Sequence, residues 1–342
     1  MTCNKIGTLE LTFLFVNLIC NKFFLFAPEY FRATAGSGTG IMICLMFLLM
    51  FAVWSFYKRR NITKTSFGKM GSIFLIAVFI FSVALTLRQY TETVKVISLT
   101  QASLYFIEGI FIIAMITGAY SGIKGICKAH IFYAPLIFAV MLILIVSASG
   151  KLDFYMLTPV FGNGIQSIAT NALFLLSTFL EFTLFFTLKP FSKDEKSFIR
   201  AGNLTLLISF AVIMIITLCY IASFSENASV EKYPPVFQII RLINSGAYFQ
   251  RFDSLFLIAF SLSAYLYLGA MLFLIWHLFK NAFEIEGKNA VLMPFAFIII
   301  STSFINALSD VITASIKHVD VFLWAIPVLM PLLLIKKGNK IQ

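Results

Sequence analysis

Ten apolar runs, each near the length a helix needs to cross a bilayer, are joined in this sequence by short polar connections. Hydrocarbon offers backbone amides no water, so such runs have essentially one solution, a bundle of membrane-spanning helices. The runs cover roughly 7–27, 38–57, 70–88, 103–121, 130–149, 165–188, 203–224, 251–279, 290–309 and 321–335. Composition agrees: 60% of the 342 residues are hydrophobic, 12% are charged, 40 are Phe, and the mean hydropathy is +0.94. No polar segment exceeds about 20 residues, too short for a domain of its own. The expected architecture is therefore all-α and polytopic, one transmembrane domain over 1–342.

The charge balance of +11 raises the question of nucleic acid. The cations fall in short loops rather than on one face, which is the positive-inside pattern of a membrane protein instead. One side of the expected bundle carries 17 of the 26 Lys and Arg, in the groups Lys58–Lys69, Lys124 and Lys128, Lys189–Arg200, Lys280 and Lys288, and Lys336–Lys340, with Lys5. The other side carries eight, and Lys22 lies inside the first run. Both termini are expected in the cytoplasm. The five cysteines are scattered without CxxC or CxxH spacing and suggest neither a disulfide framework nor a metal site. The first run lacks the marks of a cleaved signal and reads as a retained span.

Two runs are irregular. TPVFGNGIQSIATNALFLLSTFLEFTLFFTLKP (Thr158–Pro190) passes from a Gly-Asn-Gly turn into an apolar helix whose middle holds Ser177, Thr178 and Glu181. At i, i+1 and i+4 these put two hydroxyls and a carboxylate on one α-helical face. Hydroxyls bonded back to their own helix, with a carboxylate packed on a neighbour, would give the same pattern. In NLICNKFFLFAP (Asn17–Pro28), Asn17 and Asn21 share a face at i and i+4, Lys22 follows, and Pro28 closes the segment. Lys22 is too deep to snorkel comfortably and needs an anion, unless a boundary shift lets it reach a polar vestibule. Glu181 is the obvious partner. The expected ligand site is a small polar cavity where runs 1 and 6 cross, formed by Asn17, Asn21, Lys22, Ser177, Thr178 and Glu181.

Elsewhere the signals are weaker. RATAGSGTG (Arg32–Gly40) reads as a small-residue turn. LRQYTETVKVISL (Leu87–Leu99) is amphipathic and is expected along the outer interface. Glu108 is expected at the interface and His130 in solvent at a membrane edge. Tyr233–Phe256 suggests a second surface helix on the outer face, with Val236, Ile239, Ile240 and Ile243 as its apolar stripe and Arg251 and Asp253 capping run 8.

Ten spans with polar interruptions in the first and sixth fit two inverted five-helix repeats, about 7–149 and 165–335, with discontinuous helices 1 and 6 around a midplane site. Several strings carry a sharper likeness: LRQYTETVKVISL, TPVFGNGIQSI, YPPVFQIIRLINSGAYFQRFDSLF and the PLLLIKKG ending. On these the chain resembles the spore germination permease family, the B subunits of germinant receptors, within the amino acid–polyamine–organocation transporter superfamily. The resemblance implies a multi-pass protein of the spore inner membrane and a small nutrient ligand, with an amino acid the leading candidate. It also implies an A subunit with cytoplasmic and membrane parts, and a lipid-anchored C subunit. Relatives commonly unwind span 1 at a glycine-containing turn, whereas this chain reads Asn21-Lys22-Phe23 there.

Two functions follow: a nutrient-sensing receptor subunit, or a secondary transporter of an amino acid or related solute. An enzyme has no support, for HExxH, GxSxG and paired intramembrane aspartates are missing from the sequence. No cofactor, metal or nucleic acid is expected. In one scheme, an amino acid zwitterion replaces both members of the ion pair, carboxylate to Lys22 and ammonium to Glu181. The topology has a direct check. In a cysteine-free background, cysteines placed at Asn61 and Glu195 are expected to be shielded from an impermeant thiol reagent outside the cell. Labelling of either from outside overturns the ten-span arrangement.

Overall fold

A backbone amide in hydrocarbon must bond within its own segment, and the chain is almost wholly helical wherever it is described. The structure is a computed structural model that describes residues 5–25, 27–59, 65–66, 69–224, 233–242, 252–285, 292–305, 323, 325–329 and 335–336. In order, α1 is Thr8–Leu25, α2 Ala27–Ala35, α3 Thr39–Arg59, α4 Lys69–Ile97, α5 Leu104–Tyr120 and α6 Gly122–Ser147. Next come α7 (Ile165–Phe174), a 3₁₀ segment (Leu175–Phe191), α8 (Glu195–Ser223), α9 (Pro235–Arg241), α10 (Phe252–Phe283), α11 (Leu292–Ile305) and α12 (Ala325–Leu329). Two short strands, β1 (Thr65–Ser66) and β2 (Ile335–Lys336), pair antiparallel.

Among the described residues, seven helical stretches are long and apolar enough to cross a membrane, and Leu104–Tyr120 and Leu292–Phe304 are shorter apolar helices. The chain is thus an all-helical, multi-pass membrane protein. The last expected run, 321–335, lies largely outside the described residues, as do Ile243 and Arg251.

Helices α1 and α10 form the centre. Helix α1 packs against α6, α8, α10 and the 3₁₀ segment, and α10 against α4, α5 and α6. Nearly all of α1 from Leu11 to Leu25 is buried, which explains why an Asn-x-x-x-Asn-Lys sequence can persist there: its polar groups face protein rather than lipid. Helices α5 and α10 meet at Gly118 and Gly269. A Cβ built on Gly118 would lie 3.1 Å from the Gly269 Cα, and one on Gly269 would lie 3.0 Å from the Gly118 Cα. Small residues at such a crossing let two backbones touch.

Several expectations are corrected. α1 runs unbroken through Asn21 and Lys22 to Leu25, so helix 1 is not discontinuous at those residues. Pro28 does not close the segment but sits in the first turn of α2, where a residue without an N–H is tolerated. Arg32–Ala35 belong to α2, and only Gly36–Gly38 tighten into a short 3₁₀ turn. LRQYTETVKVISL is no separate surface helix: Leu87–Ile97 continue α4, with Leu87, Tyr90, Thr91 and Val94 buried. No Gly or Pro interrupts the chain from Ser72 to Leu99, so nothing turns it onto the interface. Glu108 is fully buried rather than interfacial, and its Oε1 accepts from the Ser303 hydroxyl on α11. The α5–α11 packing closes over it. His130 is likewise buried, not solvated.

On the expected second surface stretch, α9 is helical with Val236, Ile239 and Ile240 buried, and the exposed Arg241 lies over the Tyr233 ring at 4.6 Å. At the other side, Asp194 caps α8. Its carboxyl is held below the usual range first by the Ser197 hydroxyl, and further by the Ser197 amide and by Arg200 and Lys196 nearby.

The glycine contact gives a stability test. Gly118→Val or Gly269→Val is expected to destabilise the bundle by about 1–3 kcal/mol through overpacking. Gly109→Ala, whose Cβ would meet nothing within 4 Å, should leave melting unchanged. Thermal unfolding of the purified protein in detergent reads the difference.

Candidate functional site

The sixth run is built from two kinds of helix. α7 is regular to Phe174, and from Leu175 to Phe191 the winding tightens to 3₁₀ on both sides of a kink at Phe179, whose φ −89°, ψ 16° is not helical. Long 3₁₀ stretches are uncommon and mark hinges or strain. The kink at Phe179 also separates Ser177 and Thr178 from Glu181, so the three do not share one regular helical face. Phe182, Phe185 and Phe186 on the same segment pack against Trp54. The Trp54 ring lies on Gly202, and its Nε1 donates to Asn203 Oδ1 at 2.8 Å.

The sixth run is fastened to α1 and α2 at three levels. At the start of α1, Ile6 N–H donates to the Phe191 carbonyl (2.7 Å) and Lys193 N–H to the Ile6 carbonyl (3.3 Å). At the end of α2, the Thr34 carbonyl accepts from Asn163 Nδ2, Ser167 Oγ and Asn171 Nδ2, and the Ala35 carbonyl from Asn163 N–H. The Gly-Asn-Gly turn therefore satisfies carbonyls that the end of a helix leaves open. Gly162, at φ +41°, lies so close to the Ala35 carbonyl that no Cβ fits.

Between these levels Lys22 Nζ lies 2.9 Å from Glu181 Oε1 and 3.0 Å from Oε2. The Tyr267 hydroxyl on α10 donates to Glu181 Oε1 at 3.2 Å. Glu181 is fully buried, while the Lys22 side chain keeps 16% of its surface exposed. That remainder faces a cavity of about 350 Å³ between α1, α2, α4 and the 3₁₀ segment. Ser177 and Thr178 line it beside Lys22, with Tyr30 and Phe31 from α2 and Phe74, Val78, Phe81 and Leu85 from α4. Its size suits a small molecule.

The structure divides the six expected site residues. Lys22, Ser177 and Thr178 line the cavity; Asn17, Asn21 and Glu181 do not. The walls are mostly apolar, so the small polar cavity expected from sequence is corrected as well. Asn17 and Asn21 point away, into a buried cluster with α4, α6 and α10. The Ser263 hydroxyl reaches Asn17 Oδ1 (3.1 Å) and Asn21 Oδ1 (3.2 Å), and the Tyr90 hydroxyl donates to Asn21 Oδ1. Asn17 Nδ2 approaches His130 Nε2 (3.5 Å), whose Nδ1 lies 2.8 Å from the Ile126 carbonyl. These partners require an imidazole protonated on Nδ1 only, with Nε2 accepting. The reason for the split is angular. Asn21 and Lys22 are adjacent on an α-helix, about 100° apart, so one side chain enters α1's protein-packed side when the other reaches the cavity.

Sequence reasoning missed Tyr90, His130, Ser263 and Tyr267 as partners. Ser263 and Tyr267 stand at i and i+4 in the uncharged middle of run 8, a spacing that marks one polar face. The pair itself is testable. Lys22→Met strands a buried carboxylate and should destabilise the protein by about 3–5 kcal/mol. The double variant Lys22→Met/Glu181→Leu should recover most of that loss. A double variant no better than the single one would show that the pair is not the energetic link between runs 1 and 6; thermal unfolding in lipid nanodiscs measures it.

Comparison with known proteins fits this architecture. The chain is 23% identical over 219 residues to spore germination protein KB of Bacillus subtilis (strain 168), an alignment covering 59% of this chain and 57% of that protein. It is 27% identical over 243 residues to spore germination protein B2 of the same organism, covering 65% and 64%. The chain thus spans less than two thirds of the length of the curated relatives it matches. Among solved structures, a Na⁺-coupled sialic acid symporter in a substrate-bound, outward-open state superposes with a TM-score of 0.61 at 12% identity, over 96% of this chain and 78% of that one. Mhp1, a nucleobase-cation-symport-1 family transporter in a closed conformation with bromovinylhydantoin bound, gives 0.50 at 13% identity, over 90% and 72%. Such identities establish a shared fold alone. Residues 39–311 match the family described as Spore germination protein, and on that match the chain belongs to the spore germination permease family.

Proposed function

We propose that this chain is the membrane-embedded subunit of a spore germinant receptor, binding a small nutrient, an amino acid, in the cavity beside Lys22. The observation that carries the reading is the placement of Lys22, held by a buried carboxylate yet partly exposed to a cavity of about 350 Å³. A cation fixed in this way is pre-organised for a ligand carboxylate and costs no new ordering when the ligand arrives. A ligand that binds one arrangement of runs 1 and 6 better than another shifts the equilibrium between them, which is what a sensor requires.

The reading extends to assembly and place. The receptor includes A and C partner subunits, the membrane is the spore inner membrane, and both termini are cytoplasmic. The ten-span arrangement with a 5+5 inverted repeat, about 7–149 and 165–335, is proposed with it. The long and shorter apolar helices support it, as does the likeness to two transporters solved with ligands bound. Binding and conformational change, not catalysis, are its mode of action. The likeness to symporters favours a second reading on the same cavity, a working carrier of an amino acid or related solute.

Filling the cavity tests the site. Val78→Trp should abolish the nutrient-triggered germination response of spores while the protein still reaches the membrane with its partners. An intact response in spores carrying that variant at normal abundance would remove the cavity from the mechanism. Solute uptake by the wild-type protein in proteoliposomes, without A and C subunits, would select the carrier reading.

A further inference from the structure

Because Glu181 does not reach the cavity, a ligand ammonium must be met elsewhere. Among the described residues, no acidic side chain lines the cavity wall. Opposite Lys22 and the 3₁₀ segment, however, α4 presents Ser82, Thr86 and Gln89 to it, at i, i+4 and i+7 on one helical face. The Thr86 hydroxyl donates to the Ser82 carbonyl at 2.9 Å and meets the Tyr267 hydroxyl, which leaves its oxygen one further lone pair for a donor. Gln89 brings an amide carbonyl, and Ser82 a second hydroxyl oxygen. Around this stripe Phe74, Ala77, Val78, Phe81 and Leu85 are apolar.

The charge balance then selects the ligand. Lys22 and Glu181 are already neutral as a pair, so a bare carboxylate would leave a net negative charge in a low-dielectric site. A zwitterion adds none. Its carboxylate can take the remaining Lys22 N–H without opening the ion pair, since an ammonium has three donors. We propose that the α4 stripe Ser82–Thr86–Gln89 is the ammonium subsite of this cavity, which therefore takes a zwitterionic α-amino acid with a compact apolar side chain. The inference rests on the reading of the cavity as the nutrient site. It replaces the scheme in which Glu181 receives the ammonium: Glu181 is a positioning residue that holds Lys22.

The experiment uses the full-length chain in lipid nanodiscs and reads ligand-induced thermal stabilisation. The probes are valine, leucine, isoleucine, methionine and phenylalanine, each with its des-amino acid and its decarboxylated amine. At least one amino acid is expected to stabilise the protein, and neither counterpart should do so at the same concentration. The triple variant Ser82→Ala/Thr86→Val/Gln89→Leu should weaken that amino acid by about tenfold or more, the loss expected when a charged group forfeits its hydrogen bonds. Binding of the des-amino acid, where any is measurable, should not fall. The proposal is overturned if the triple variant keeps wild-type affinity, if the des-amino acids bind as well as the amino acids, or if no probe stabilises the protein. The cavity reading fails separately: Val78→Trp would then leave the germination response intact, whatever the triple variant does.

Discussion

A lysine and a glutamate in hydrocarbon must find each other, and much of this protein follows from how they do so. Each alone is expensive; together, with the Tyr267 hydroxyl on Glu181, they form a neutral, hydrogen-bonded unit. That unit fixes where α1 and the 3₁₀ segment cross. The tie at Ile6 and Phe191 and the clasp of Asn163, Ser167 and Asn171 on the end of α2 hold the sixth run to α1 and α2 on either side of it. Two segments far apart in sequence thereby behave as one column.

Two polar systems back onto this column, and their separation organises the centre of the bundle. On one side the Asn17–Asn21–Ser263–Tyr90–His130 cluster is buried among α1, α4, α6 and α10 and welds them with neutral hydrogen bonds. On the other, a mostly apolar hollow meets a single partly exposed cation. Neutral side chains tolerate a dry seam because each bond costs little to desolvate, whereas the cation needs its counter-charge within reach. Sequence neighbours on α1 thus do opposite jobs, Asn21 as internal glue and Lys22 as the edge of a cavity.

The broad fold was legible because hydrophobic run length and backbone hydrogen bonding leave a membrane chain few choices. The importance of Lys22 and Glu181 was legible for the same energetic reason, since an intramembrane charge advertises itself. What did not show was direction. Asn17 and Asn21 read as cavity residues because α1 could be turned either way about its axis, and only packing against α6 and α10 decides that. Glu108 lies close to the start of α5 and His130 at the start of the expected fifth run, where distance along the chain suggests water; α6 begins about two turns earlier, at Gly122, and neighbouring helices cover both residues. The continuation of α4 past Leu87 was hidden because its polar residues looked interfacial, yet Tyr90 and Thr91 point inward. The polar interruption at Ser177, Thr178 and Glu181 marked run 6 as irregular, and a kink stands there at Phe179; the 3₁₀ winding itself was hidden, since Leu, Ser, Thr and Phe suit either helix.

That winding has a mechanical consequence. A 3₁₀ helix rises about 2.0 Å per residue against about 1.5 Å for an α-helix, so the two pieces that meet at the Phe179 kink are each longer than the same residues would be in an α-helix. One end of the span is knotted to the start of α1, and its α7 half is clasped to α2. Bending at Phe179 would change the distance between these anchorages and turn Glu181 about the axis at the same time. Ser177 and Thr178 stand just before that bend, so a molecule seated against them would also bear on how far the two ends stand apart.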